Sequence, residues 1–262
     1  MTPLLDLSHV SLSFAGNRVL DRVDFSVPAG AVVSLIGPNG AGKTSLFNCI
    51  TGFYKPQGGA VRFDGRETLR LKPNQITQAG IARTFQNVRL FREMSVLENV
   101  MSGMHCRTSA GAIAAILGLP SQRREEAEIR EFSEGCLDFV GIAEGWKREA
   151  TTLPYGWQRR VEIARALATK PKLLLLDEPA AGLTSGEKEG LIGLIARIRD
   201  ERGISVLLIE HDTGLVMRIS ERVSVLDHGV MIAEGSAKDI QTNPKVIEAY
   251  LGVDDGEDAL AV

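Results

Sequence analysis

Apolar and polar positions alternate with a period of two from Leu4 to Phe14 and again from Val19 to Val27, the spacing of strands that bury one face. Ala15-Gly16-Asn17 supplies a turn between them, so the chain is predicted to open on an antiparallel pair. Further along the pattern changes. Val32-Val33-Ser34-Leu35-Ile36, Leu173 to Leu176 and Ser205 to Ile209 are short, almost unbroken apolar runs, which is how strands covered on both faces of a parallel sheet read. Lys55-Pro56-Gln57-Gly58-Gly59 marks a loop, Ala60-Val61-Arg62-Phe63 a strand ending at Asp64-Gly65, and Ile81-Ala82-Arg83-Thr84-Phe85 another strand. Short strands are also expected near Val223 and Met231.

Between about Ser95 and Gly145 the period becomes helical, opening on the capping-box spacing Ser95-Val96-Leu97-Glu98. The charged run from Gln122 to Glu131 reads as a solvated helix face, with Glu126 and Arg130 spaced to pair at i,i+4. From Pro154 onward strands and helices alternate: a helix to Ala168, a strand, a helix from Ser185 to Arg199, and a strand from Ser205. That order predicts an α/β fold with a mainly parallel core sheet, an antiparallel β subdomain before it, and a helical insertion over about 89–165. Residues 1–252 are expected to form one domain and 253–262 a frayed acidic tail around Asp254-Asp255-Gly256-Glu257-Asp258.

The bulk numbers narrow the function classes. With 262 residues, 44% of them hydrophobic and 24% charged, the chain can bury a sizeable core. A net charge of -3 gives no overall basic footprint, and no nucleic acid is expected. Cys49, Cys106 and Cys136 are an odd number at wide spacings, fitting reduced thiols better than a disulfide framework or a zinc site. The start of the chain lacks the features of a secretory signal. No apolar run approaches the ~20 residues needed to span a bilayer.

One stretch carries chemistry on its face. Gly37-Pro38-Asn39-Gly40-Ala41-Gly42-Lys43-Thr44 follows a buried strand and leads into Ser45 and a helix, the context of a phosphate-binding loop. Its glycines let several N–H groups point at one phosphate, Lys43 reaches the terminal phosphates, and the Thr44 hydroxyl can ligate Mg²⁺. A nucleoside triphosphate is the expected ligand. Downstream, the strand Leu173 to Leu176 delivers Asp177 and Glu178 to the edge of the sheet. Asp177 can hold Mg²⁺ through its water shell, and Glu178 can orient the attacking water or accept its proton.

With these motifs in order, the chain resembles the ATP-binding subunits of ABC transporters over nearly its whole length, a P-loop NTPase of the ABC type. That resemblance implies ATP and Mg²⁺ as cofactors and assigns further positions. Phe14 stands where an aromatic stacks on adenine. Gln86 occupies the loop whose glutamine contacts Mg²⁺ or the attacking water and hinges the helical insertion. Leu153-Pro154-Tyr155-Gly156-Trp157 stands at the signature, which faces the ATP of a partner subunit, and His211 is the switch histidine that meets the γ-phosphate. Catalysis would then fall to Lys43, Glu178, Gln86 and His211, and the metal to Thr44, Gln86 and Asp177.

The signature departs from the usual Leu-Ser-Gly-Gly-Gln, since Pro154 has no hydroxyl and Trp157 replaces glutamine. The following loop, Ala181-Gly182-Leu183-Thr184, ends in threonine where many relatives have aspartate. Both changes are compatible with one subgroup. Arg83 to Phe91, Pro179 to Leu183, Ile209 to Asp212 and Asn243 to Gly252 resemble the ATPases of branched-chain amino acid importers. The resemblance implies a second ABC ATPase subunit as partner, two membrane permeases and, indirectly, a solute-binding protein, at the cytoplasmic face of the cell membrane. The pair can be homo- or heterodimeric, and the missing signature serine favours a heterodimer. Machines for urea, amides or lipopolysaccharide, a soluble remodelling ATPase, and a binding subunit with one nearly inactive site are the alternatives.

Overall fold

The computed structural model describes residues 2–107, 120–142, 144 and 146–251. Strand β1 (Leu5–Phe14) pairs antiparallel with β2 (Asn17–Val27) on one side and β4 (Gly58–Phe63) on the other, and β5 (Arg66–Glu67) completes a four-stranded sheet in the order β2-β1-β4-β5. The inward residues of β1 are Leu5, Leu7, Val10 and Leu12. Period two would put residue 9 inside; instead His9 adopts φ 52° and the register shifts between Leu7 and Val10, returning the apolar set to the core.

The second sheet has six strands: β3 (Val32–Ile36), β6 (Ile81–Arg83), β7 (Leu173–Asp177), β8 (Ser205–Ile209), β9 (Arg222–Asp227) and β10 (Val230–Gly235), in the order β10-β9-β3-β8-β7-β6. All neighbours run parallel except β10 against β9. Every residue of β3, β7 and β8 is buried, as their unbroken apolar runs require. Parallel strands point their C-terminal ends to one edge, so the segments after β3, β6, β7 and β8 emerge side by side. The expected strand over Ile81–Phe85 stops at Arg83. The Thr84 amide still donates to the Leu175 carbonyl at 2.9 Å, but the Phe85 amide turns away to the Glu162 carboxylate.

Helix α1 (Lys43–Ile50) follows β3, and α2 (Pro73–Ala79) precedes β6. A helical layer follows, comprising α3 (Val96–Met104), α4 (Pro120–Phe139) and α5 (Tyr155–Ala168), whose Val100, Met104, Ile129, Leu137, Val161 and Leu167 share one apolar core. Ser95 caps α3 and forms the capping box with Glu98. The ion pair expected between Glu126 and Arg130 is replaced: Arg130 Nε donates forward to Glu134 Oε1 at 2.9 Å. Glu134 is half-buried and Glu126 exposed, and attraction is stronger where solvent screens it less. The chain ends through α6 (Ser185–Arg202), α7 (Thr213–Ile219), α8 (Ala237–Gln241) and α9 (Pro244–Leu251). Residues 253–262, the acidic stretch, lie outside the described residues.

Cys49 and Cys136 are buried and form no disulfide. Burial pushes the Cys49 thiol up to about 12 and Cys136 to about 11, which leaves both protonated and inert at neutral pH. Among the described residues no helix is long and apolar enough to cross a membrane.

Candidate active site

The loop between β3 and α1 needs its glycines. Gly37 has φ 150°, and a Cβ there would lie 1.9 Å from the Leu226 carbonyl oxygen; Gly42, at φ 105°, abuts the Val19 carbonyl in the same way. Lys43 folds back over this loop, its Nζ donating to the carbonyls of Gly37 (2.6 Å) and Pro38 (2.9 Å). Asn39, Gly40 and Thr44 are exposed, while Gly37, Pro38 and Ala41 are buried beneath them. Helix α1 begins with no side chain capping its N-terminus and no acid in its first turn. Its positive end is thus open to an anion in a loop that also holds a lysine, a donor set that fits a polyphosphate.

At the end of β7, Asp177 is 4% exposed and meets a residue the motif reading passed over. Arg83 Nη2 donates to Asp177 Oδ2 at 2.7 Å, and Arg83 Nη1 to Asn48 Oδ1 at 2.7 Å, so the carboxylate is tied to β6 and α1. Among the described residues no group of three His, Cys, Asp or Glu could hold a metal. A Mg²⁺ ion at Thr44 and Asp177 would complete its shell with phosphate oxygens and water, which matches the hard, oxygen-only chemistry of that ion.

Next to Asp177 lies Glu178, with φ 47°, a left-handed conformation that costs a non-glycine residue about 1–2 kcal/mol. Its amide donates to the Ile209 carbonyl at 2.9 Å. Its carboxylate is shared between two loops: Gln86 Nε2 donates to Oε2 at 2.8 Å, and His211 Nε2 lies 2.9 Å from Oε1. The three side chains that were far apart in the chain thus meet at the edge of the sheet. The cluster can orient a water molecule and receive its proton.

Glu210, also passed over, is 4% exposed and accepts from the Ala180 amide at 2.7 Å and the His211 amide at 3.2 Å. Burial pushes its carboxyl above the ordinary range, against the pull of those amides. It fastens the loop after Glu178 to the histidine. An acid at the end of an apolar strand is ordinarily solvated, so only its place between Ile209 and His211 hinted at this work.

Phe14 closes β1 at the surface, 44% exposed, with its ring edge-on to Tyr54, centroids 5.0 Å apart. Tyr54 follows α1 and was not singled out by any motif, yet its ring meets that of Phe14.

Pro154 proves to be the N-cap of α5 rather than part of its first turn; its carbonyl accepts from the amides of Trp157 (2.9 Å) and Gln158 (3.0 Å). Tyr155 and Trp157 project from the surface, 40% and 43% exposed. Gly156 between them is buried, and a Cβ there would lie 2.2 Å from Glu187 Oε1. Thr184 is accounted for in the same region. It caps α6 in a capping box with Glu187, work that aspartate would do equally well.

This geometry has counterparts. A family model described as "ABC transporter" matches residues 20–181, and one described as "Branched-chain amino acid ATP-binding cassette transporter" matches residues 230–256. The chain is 46% identical over 250 residues, 95% of its length and 98% of the relative's, to the high-affinity branched-chain amino acid transport ATP-binding protein BraF of Pseudomonas aeruginosa. Among solved structures, the ADP conformation of MJ1267, an ATP-binding cassette of an ABC transporter, superposes with a TM-score of 0.84 at 33% identity, covering 96% of this chain and all of that one. The dimeric bacterial ABC transporter cassette MJ0796 superposes with a TM-score of 0.75 at 28% identity, covering 89% of this chain and 98% of that one. Matched by the first of those family models over residues 20–181 and by BraF over 95% of its length, the chain belongs to the ABC transporter family, as an ATP-binding cassette that hydrolyses ATP.

Proposed function

We propose that the chain is the peripheral ATPase subunit of an importer for branched-chain or other hydrophobic amino acids, working at the cytoplasmic face of the cell membrane. The observation that carries this reading is the meeting of Gln86, Glu178 and His211 beside the phosphate loop, in a chain so similar to BraF along its length. Adenine stacks on Phe14, and the loop from Gly37 to Ser45 holds the phosphates. Lys43 stabilises charge on the transferred phosphoryl group. Thr44, Gln86 and Asp177 would hold Mg²⁺, which supplies charge neutralisation across the phosphates. Glu178 orients the water and takes its proton, while Gln86 and His211 hold Glu178 in place and sense the γ-phosphate.

Two such subunits close head to tail, so that the turn Pro154–Trp157 of each faces the ATP of the other. The dimeric cassette among the neighbours supports this, as do the exposed Tyr155 and Trp157. A heterodimer is favoured, because a signature lacking serine is tolerated opposite a partner with a fuller one, which keeps the serine hydrogen bond at one of the two composite sites. An open groove of about 540 Å³, lined by Phe85, Arg89, Phe91, Gly103 and Arg165 among others, lies between the segment after β6 and the helical layer. It is suited to receive a loop of a permease and couple its movement to Gln86.

The test is purification of the tagged protein from native membranes, with mass spectrometry and ATPase assay in the presence of a solute-binding protein. Two permeases and a second ATPase should co-purify, with turnover stimulated by the leucine-, isoleucine- or valine-loaded protein. Recovery of soluble partners alone, with turnover indifferent to solute, would overturn it in favour of a remodelling ATPase.

A further inference from the structure

Arg159 has the largest fully buried side chain among the described residues, at 1% exposure. It belongs to α5, one turn beyond Tyr155, yet its guanidinium leaves that helix for the segment after β6. Nη1 donates to the Phe85 carbonyl at 2.7 Å and Nη2 to the Gln86 carbonyl at 2.6 Å. The same two nitrogens also reach along their own helix, Nη1 to Glu162 Oε2 at 2.8 Å and Nη2 to the Tyr155 hydroxyl at 3.1 Å. Glu162, equally buried, returns the grip from the other side: its Oε1 accepts from the amides of Phe85 (3.3 Å) and Arg89 (3.5 Å).

A guanidinium and a carboxylate in this setting are costly to desolvate, and a buried pair is weak evidence of stabilisation even where, as here, it satisfies backbone carbonyls and amides. What the planar fork adds is direction, since it holds two successive carbonyls and a phenol hydroxyl in fixed relation. Both ends of the array lie at the site: Gln86 bonds Glu178, and the Tyr155 ring packs on Gly182 in the loop after Glu178, where an added Cβ would lie 3.2 Å from it.

We infer that Arg159 is a positioning residue that ties the Gln86 loop to the turn Pro154–Trp157 within one chain, so that engagement of nucleotide by Gln86 is passed through the guanidinium to Tyr155. The inference rests on the proposed roles of Gln86 and of the Pro154–Trp157 turn. It makes the turn facing the partner's nucleotide responsive to the chain's own, without a hydroxyl at position 154. The altered signature is thereby matched by a second, buried device on the same helix.

Hydrogen exchange read by mass spectrometry on the full chain tests this, in dilute solution with and without a non-hydrolysable ATP analogue and Mg²⁺. In the unaltered chain the analogue should slow exchange at residues 37–46, 84–90 and 153–158 together. A charge-assisted hydrogen bond alters a local opening equilibrium by about tenfold or more. In Arg159→Lys and in the milder Tyr155→Phe, the slowing at 153–158 should fall by about that factor while 37–46 responds as before. If the variants raise exchange equally with and without nucleotide, leaving the ratio at 153–158 unchanged, Arg159 is a structural staple and the inference is overturned. An unresponsive 153–158 in the unaltered chain overturns it as well. Should Arg159→Lys fail to fold, Tyr155→Phe decides alone, because it removes one hydroxyl from a residue that is 40% exposed and leaves the buried pair in place. Failure of 37–46 itself to respond would count against the nucleotide site, a separate result.

Discussion

The phosphate loop and the cluster at Glu178 sit at the same edge of the sheet but are built in opposite ways. The loop is contiguous, Gly37 to Ser45, and its shape is set by local backbone freedom and by Lys43 bonding carbonyls five and six residues back. The cluster draws on side chains 92 and 33 positions apart in the chain, brought together by parallel strands ending side by side. On the proposed function, binding of phosphate depends on a local motif, whereas the arrangement for hydrolysis depends on the packing of the whole sheet. Damage to the two should separate cleanly into affinity and turnover.

The sharpest separation comes from two substitutions taken together. Glu178→Gln should slow steady-state turnover by about 10²–10⁴-fold while ATP affinity stays within a small factor. Lys43→Ala should lower turnover by about 10²–10³-fold and weaken ATP binding as well. Single-turnover kinetics with labelled ATP and a binding titration distinguish them; unchanged turnover in Glu178→Gln would remove that carboxylate from the chemistry.

A second contrast lies in additivity. Gln86→Ala and His211→Ala hold the same carboxylate from opposite sides, so each alone should cost about 10²-fold in kcat by letting Glu178 drift. The double variant should cost little more than either single one, as residues acting as a unit do. A multiplicative loss would show that the two act independently.

Smaller effects are expected away from the cluster. Phe14→Ala should raise the Kd for ATP about 5- to 150-fold, the equivalent of ~1–3 kcal/mol of base stacking, and leave kcat unchanged at saturation. Isothermal titration with ATP and with inorganic triphosphate checks this, because the loss should vanish when adenine is absent.

The smallest effect is one of pH. Burial holds the Glu210 carboxyl above its ordinary value, so its contribution to stability is full at low pH and declines as pH rises through the raised value. Glu210→Gln lacks that decline. The stability of the variant relative to the parent, from urea unfolding, should therefore be more favourable at pH 8 than at pH 5. Parallel curves would mean that Glu210 titrates normally.

Comparison of the two regions also explains what could be read beforehand. Period-two alternation and unbroken apolar runs identified the two kinds of strand, because a strand's surroundings select its residues directly. They could not foresee the bulge at His9, where backbone rather than side-chain preference keeps the apolar set inward. The end of β6 two residues early has a similar cause, since the Phe85 amide bonds Glu162, which lies 77 positions away. Arg130 posed a choice between acids on either side, and pattern alone has no measure of which is better shielded.

By itself the sequence determined the phosphate loop, the paired acids after an apolar strand and the α/β order, because each depends on residues next to one another. It also held Gln86 and His211, but as lone residues whose meaning came from family resemblance. Only the tertiary structure decided that they share the Glu178 carboxylate, that Arg83 ties Asp177, that Glu210 joins two loops and that Arg159 spans from α5 to the Gln86 loop. The physical reason is that a buried charge is tolerable only beside its partners, and those partners are chosen by how strands and helices pack rather than by their order along the chain.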